Sequence, residues 1–110
     1  MTRSHVTTHV LDTTSGKPAD GVEVELLGPD GPIAEGVTDA DGRVASLGPD
    51  VLPAGTYELR LATGAWFERH GVEAFHPVIS ISFRVGPDPS VHWHIPVLLS
   101  PFAFTTYRGS

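Results

Sequence analysis

Glycine and proline cut this chain into short pieces. The 110 residues include 12 glycines and 10 prolines, and these fall between short β-prone runs. Such spacing leaves room for strands and turns and little for helices, so it predicts an all-β sandwich. Residues 6–12 read as a first strand, ended by the turn-prone Ser15-Gly16-Lys17-Pro18. Residues 21–27 alternate apolar and charged side chains, as a strand with one wet face does. Turn clusters at Gly28-Pro29-Asp30-Gly31-Pro32 and Asp39-Ala40-Asp41-Gly42 flank a strand at 33–38. A short extended piece at 43–47, an alternating strand at 56–61, and strands at 78–85, 91–99 and 102–107 follow. One segment, residues 63–71, reads as a helix with Thr63 as N-cap and Gly71 as stop. The expectation is about eight strands and one short helix in a single domain spanning residues 1–110.

The formal net charge is −6 and the seven cationic residues are scattered, which argues against a nucleic-acid partner. There is no cysteine, so disulfides, thiolate catalysis and cysteine-based zinc sites are excluded. No run approaches the ~20 apolar residues that span a bilayer, and Met1-Thr2-Arg3-Ser4-His5 lacks the apolar stretch of a signal peptide. These features predict a soluble, cytoplasmic protein with no membrane partner.

Side chains alternate along a strand, and the run at 91–99 therefore has two unlike faces. Trp93, Ile95, Val97 and Leu99 form an apolar core face, while His92, His94, Pro96 and Leu98 lie opposite. In the first strand Val6, Thr8 and Val10 suit the core, with Thr7, His9 and Leu11 opposite. The last strand divides into Phe102, Phe104 and Thr106 against Ala103, Thr105 and Tyr107. The outer face thus mixes aliphatic, imidazole and phenol groups, a character suited to cover by a partner and to a small-molecule pocket.

Four segments carry a more specific message. They are Thr8-His9-Val10-Leu11-Asp12 with Gly16-Lys17-Pro18-Ala19; Thr38-Asp39-Ala40-Asp41-Gly42-Arg43; His92-Trp93-His94-Ile95-Pro96 running into Leu98-Leu99-Ser100-Pro101; and the terminal Tyr107-Arg108-Gly109-Ser110. Together they resemble the 5-hydroxyisourate hydrolase branch of the transthyretin family, over nearly the whole chain and in the right order. The terminal tetrapeptide is the most specific, because the hydrolases carry it and the hormone carriers do not. Trp93 stands where the family usually has Tyr, and His76 where an aromatic residue is common. The first swap points to the core and implies no change in chemistry; the second implies an effect on local packing.

The resemblance implies a two-sheet prealbumin-like sandwich, dimers formed by edge-strand pairing, and a homotetramer that is a dimer of dimers with its sites in the channel between dimers. The implied substrate is 5-hydroxyisourate, hydrolysed to 2-oxo-4-hydroxy-4-carboxy-5-ureidoimidazoline on the way from urate to allantoin, with no cofactor and no metal. Water must be activated to attack a ring carbonyl. His9 and His94 take that task, since histidine titrates near ~6.5, and either can be the base. Arg43 offers a rigid charged fork for the carbonyls and the oxyanion. Tyr107 binds or stacks on the ring, Ser110 supplies a hydroxyl and the terminal carboxylate, and His92 is secondary. His5, His70 and His76 receive no role. Taken singly, each of these residues also has an ordinary structural reading, and the terminal tetrapeptide would by default be a frayed tail.

Three other readings compete. A binding module would use the same channel without catalysis, as the hormone carriers do. A structural module is suggested by the similarity of residues 38–43 and Pro53-Ala54-Gly55-Thr56-Tyr57 to repeats of carboxypeptidase regulatory domains and adhesins. A metal hydrolase would use His92, His94 and His9 as ligands.

Overall fold

The structure, a computed structural model, describes residues 4–44 and 46–110. Met1 to Arg3, part of the segment read for a signal peptide, and Ala45, inside the expected 43–47 strand, lie outside the described residues.

Among the described residues, eight strands and one helix run in the order β1 (Val6–Asp12), β2 (Lys17–Pro18), β3 (Glu23–Gly28), β4 (Gly31–Val37), β5 (Gly55–Leu61), α1 (Thr63–Arg69), β6 (Ile79–Val85), β7 (Trp93–Leu99) and β8 (Phe104–Thr106). They form two four-stranded sheets, in the orders β2-β1-β7-β8 and β4-β3-β5-β6. Val6, Val10, Ile95, Val97 and Leu99 of the first sheet are buried, as are Val24, Leu26, Tyr57, Leu59, Leu61, Ile79 and Val85 of the second. The apolar halves of the alternating strands thus make one core between two sheets, which is the expected sandwich.

The pair at the centre of the first sheet is parallel. β1 runs beside β7 with Val6 opposite Trp93, Thr7 opposite His94, Thr8 opposite Ile95 and His9 opposite Pro96. Thr8 is buried on the core face and donates its hydroxyl proton to the Ile95 carbonyl at 2.7 Å, so its polarity is satisfied. At the head of this pair His5 is 3% exposed. Its Nδ1 accepts the Leu52 N–H at 2.8 Å, which leaves Nε2 to donate to the Val91 carbonyl at 2.7 Å. The histidine given no chemical role is thus a clamp between three chain segments.

Three local expectations change. The described residues of the 43–47 stretch do not form a strand: Arg43 makes a single bridge to His9, and Val44, Ser46 and Leu47 have no ladder partners. Leu47 is anchored instead by its N–H to the Ser4 hydroxyl at 3.1 Å. The turn at Ser15-Gly16 closes a hairpin tightly enough for Lys17–Pro18 to pair with Asp12 and Leu11, giving the short edge strand β2. Helix α1 begins one residue earlier than expected: Ala62, not Thr63, is the N-cap, and Thr63 is buried in the first turn, with no side chain capping the N-terminus. The end does behave as expected, with Gly71 at φ +70 just past the C-cap His70. The helix is tied down by Trp66, whose indole N–H donates to the Asp20 carbonyl at 2.7 Å, and at its two ends by the Gly64 N–H on the Pro77 carbonyl and the Arg69 guanidinium on the Gly21 carbonyl.

Thr38 joins the end of β4 to the segment entering β3. Its buried hydroxyl donates to the Ala19 carbonyl at 2.6 Å and accepts the Val22 N–H at 2.8 Å. Thr38→Val should therefore lower unfolding free energy by about 1–3 kcal/mol, because an isosteric methyl strands both backbone groups. Urea denaturation followed by circular dichroism measures this, and an unchanged midpoint would contradict it.

Candidate active site

Hydrogen bonds pin the turn at Asp39 to Arg43 against β1. Asp39 Oδ1 accepts the N–H groups of Asp41 at 2.9 Å and Arg43 at 3.0 Å, while the Asp39 N–H donates to the Arg43 carbonyl at 2.7 Å. Gly42 is buried at φ +77, and its carbonyl accepts the Val10 N–H at 2.8 Å. A Cβ at Gly42 would collide with the Val10 carbonyl oxygen. Only glycine lets the turn come this close while taking a left-handed backbone. The approach carries Arg43 to a bridge with His9. The His9 ring closes over the same turn, with Nε2 at 2.7 Å from the Asp41 carbonyl. A carbonyl only accepts, so Nε2 carries the proton, and neutral His9 keeps its lone pair on Nδ1. Arg43 is exposed, and among the described residues no carboxylate pairs with its guanidinium.

The chain end borders the other side. β8 pairs with β7 from Leu99↔Phe104 to Val97↔Thr106, and Gly109 bridges His94 in the same register, its N–H donating to the His94 carbonyl at 2.8 Å. Between these contacts stands Pro96, which has no N–H to offer, so the ladder lapses at Tyr107 and Arg108 before resuming. The tail is therefore not frayed. A Cβ on Gly109 would lie 2.6 Å from His94 Cδ2 and 3.0 Å from Pro96 Cγ, so the tail backbone rests directly on the outer face and helps bury Pro96. The Arg108 guanidinium lies 4.3 Å from the ring centroid of Trp93. Trp93 is only half-buried, so it packs against the core and also holds the tail.

Between these two borders lie Thr7, His9, His92 and His94. The Thr7 hydroxyl is 2.7 Å from His92 Nε2 and 2.8 Å from His94 Nδ1. The fold thus brings His9 to Arg43, and His94 to Gly109 next to Ser110, on adjacent strands of one face. Tyr107 is 56% exposed beside them. Thr7 was missed as a candidate although alternation sets it on the face of His9; a lone strand threonine carries no chemical signal until its neighbours are known. His76 packs edge-on to Phe75 and Phe104, at 5.0 and 5.2 Å between ring centroids.

The face is open in the single chain. A cleft of about 290 Å³ reaches His94, Tyr107 and Arg108 from the side of β6 but not His9 or Arg43. A larger one, about 550 Å³, lies on the other sheet among Glu23, Glu25, Glu35 and Arg60 and contains no histidine. Among the described residues no group of three or more His, Asp or Glu side chains is placed to hold a metal ion.

Residues 6–109 match the model of the HIUase/Transthyretin family. The chain belongs to that family. Among its relatives is a 5-hydroxyisourate hydrolase of Caulobacter vibrioides, 43% identical over 115 residues, covering 97% of this chain and 99% of the relative. A solved 5-hydroxyisourate hydrolase of Klebsiella pneumoniae superposes with a TM-score of 0.88 at 43% identity, covering 96% of this chain and 98% of that one. Sea bream transthyretin in complex with thyroxine superposes with a TM-score of 0.86 at 33% identity, covering 94% and 93%. A 5-hydroxyisourate hydrolase and a transthyretin thus both superpose on this fold, so the fold alone does not fix an activity.

Gly42→Ala tests how that face is built. The left-handed backbone alone should cost about 1–2 kcal/mol, and the collision with Val10 should displace the turn. The expected result is a lower thermal midpoint with shifted His9 ring resonances in NMR; an unperturbed His9 would show that the turn does not position it.

Proposed function

We propose that this chain catalyses the hydrolysis of 5-hydroxyisourate to 2-oxo-4-hydroxy-4-carboxy-5-ureidoimidazoline, in the breakdown of urate towards allantoin. The observation that carries the reading is the pairing of His9 with Arg43 and of His94 with the chain end on one sheet face, in a chain 43% identical to a hydrolase of that name.

The chemistry follows from the groups available. A water molecule loses a proton to an imidazole, His9 or His94, as its oxygen attacks a ring carbonyl. Negative charge gathers on the carbonyl oxygen, where the Arg43 fork stabilises it. The ring C–N bond then breaks, and the departing nitrogen takes up a proton. Tyr107 holds the flat ring, and Ser110 contributes its hydroxyl and terminal carboxylate. His92 acts in a secondary position. The reading needs no cofactor, since histidine and arginine supply both proton transfer and charge stabilisation.

A single copy leaves this face open, so the proposed working form is a homotetramer, a dimer of dimers. Support comes from β6 and β8, which are edge strands that line one cleft together, and from exposed Phe75, Phe102 and Tyr107. Facing dimers would close the histidine face into a channel. Among the described residues no helix is long and apolar enough to cross a membrane. The reading places the reaction in the cytoplasm, in keeping with a chain that has no cysteine.

Urate oxidase can generate the unstable substrate in the cuvette, and its loss is followed by absorbance. The protein should accelerate that loss above the spontaneous rate, which a carrier would leave unchanged. His9→Ala, Arg43→Ala and His94→Ala should each lower turnover by about tenfold or more, equivalent to ~1.4 kcal/mol of transition-state stabilisation, and His92→Ala should do less harm than His94→Ala. Near-normal turnover in His94→Ala would remove it from the site. Residues appended after Ser110 should impair activity, whereas a fully active tagged protein would take the chain end out of the mechanism.

A further inference from the structure

One hydroxyl touches both His94 of β7 and His92 just before that strand. Thr7 Oγ1 stands 2.7 Å from His92 Nε2 and 2.8 Å from His94 Nδ1. The contact is set by register, because Thr7 is the direct partner of His94 in the parallel β1–β7 pair and His92 is two residues along the same face. The β-branched side chain restricts χ1 and so holds the hydroxyl on that face.

The three groups cannot choose their protons independently. A hydroxyl has one proton to give and two lone pairs to accept with, and a neutral imidazole has one N–H and one bare nitrogen. Thr7 therefore donates to one ring at most, and His92 Nε2 and His94 Nδ1 cannot both be bare while both contacts are hydrogen bonds. A continuous chain runs in one of two directions. Either His94 Nδ1–H donates to Thr7, which donates to His92 Nε2, or every bond is reversed. In the first, both rings carry their proton on Nδ1; in the second, both carry it on Nε2. In a third arrangement both rings donate to Thr7, whose own proton then points away, and no proton passes from His94 to His92.

We propose that Thr7 is a positioning residue that couples the protonation of His94 to that of His92, holding His94 with its lone pair on Nε2 and relaying a proton from one ring to the other. The proposal rests on the hydrolase reading. As water attacks the ring carbonyl, its O–H bond breaks and the proton goes to His94 Nε2. The proton on His94 Nδ1 passes to Thr7 Oγ1, and the proton already on Thr7 passes to His92 Nε2. His94 ends neutral with its proton on Nε2, Thr7 is again a hydroxyl, and His92 is an imidazolium holding the extra proton. Running the relay backwards delivers that proton from His94 Nε2 to the departing ring nitrogen, so nothing is gained or lost over the cycle. His92 then acts as a proton store one step removed from the substrate.

Two measurements test this. Long-range proton–nitrogen correlation spectra of the substrate-free protein report the tautomer of each ring. His92 and His94 should both show the Nδ1–H form in the wild type and in Thr7→Ser, and should lose that agreement in Thr7→Val. Wild-type rings protonated on different nitrogens, in either combination, would overturn the coupling outright, and both rings protonated on Nε2 would overturn the stated direction of the relay, even if Thr7→Val did not fold. In the kinetic assay, Thr7→Val should lower kcat about tenfold with KM within about threefold of wild type, and Thr7→Ser should restore most of it. Adding His92→Ala to Thr7→Val should cause little further loss, as expected of two members of one relay. Wild-type kcat in Thr7→Val, or a loss confined to KM or to thermal stability, overturns the relay. A wild-type protein that does not accelerate loss of 5-hydroxyisourate sinks the hydrolase reading instead, while the tautomer spectra still decide whether Thr7 couples the rings.

Discussion

Everything distinctive in this fold depends on the register between two strands from opposite ends of the chain. β1 and β7 lie parallel, with Thr7 against His94 and His9 against Pro96. That pairing puts Val6, Thr8, Val10, Ile95, Val97 and Leu99 on the buried side and the histidines on the other. Side-chain direction has a period of two, so a slip of one residue would bury imidazoles and expose valines. The hydrophobic core therefore enforces the register, and the register fixes which polar groups meet. Core stability and site geometry are two consequences of a single alignment.

The borders of the site use a different device, the close approach of backbone. On one side Gly42 lets the turn from Asp39 to Arg43 sit against the Val10 carbonyl, and on the other Gly109 lets the chain end lie on His94 and Pro96. Neither contact tolerates a side chain. Pro96 adds to the second by breaking the ladder at Tyr107, which frees that residue from sheet pairing just where the tail crosses the histidine face. Arg43, Tyr107 and Ser110 are thus carried on short segments whose paths are set by hydrogen bonds to rigid strands, the arrangement that suits precise positioning.

The chemistry inferred for this face follows from what each group can donate or accept. His9 must donate to the Asp41 carbonyl through Nε2, whereas the protons of His92 and His94 are linked through one hydroxyl. The two candidate bases therefore differ in kind: one has its tautomer fixed by a backbone acceptor, and the other meets a hydroxyl that can either donate or accept. Transthyretin, at 33% identity, shares this scaffold, so the sheets alone do not choose between carrying and cleaving.

Much of this was legible in the sequence. Alternation in residues 6–12 and 93–99 separated core from outer face, glycine and proline marked most turns, and the motifs around His9, Arg43, His94 and the chain end pointed to the family. Those features are local, carried by side-chain period and by turn chemistry. Other features were not local. The stretch 43–47 read as extended strand, yet among its described residues only Arg43 pairs; Lys17–Pro18 looked like plain turn yet forms an edge strand; Thr63 looked like a cap yet lies buried inside the helix. Above all, no sequence pattern states that residue 7 will face residue 94. By itself the sequence determined which side chains are apolar, which carry chemistry and where the chain turns. Only the tertiary structure decided which of them touch, because a parallel pairing between distant segments is chosen by the packing of the whole core and not by any stretch of chain within it.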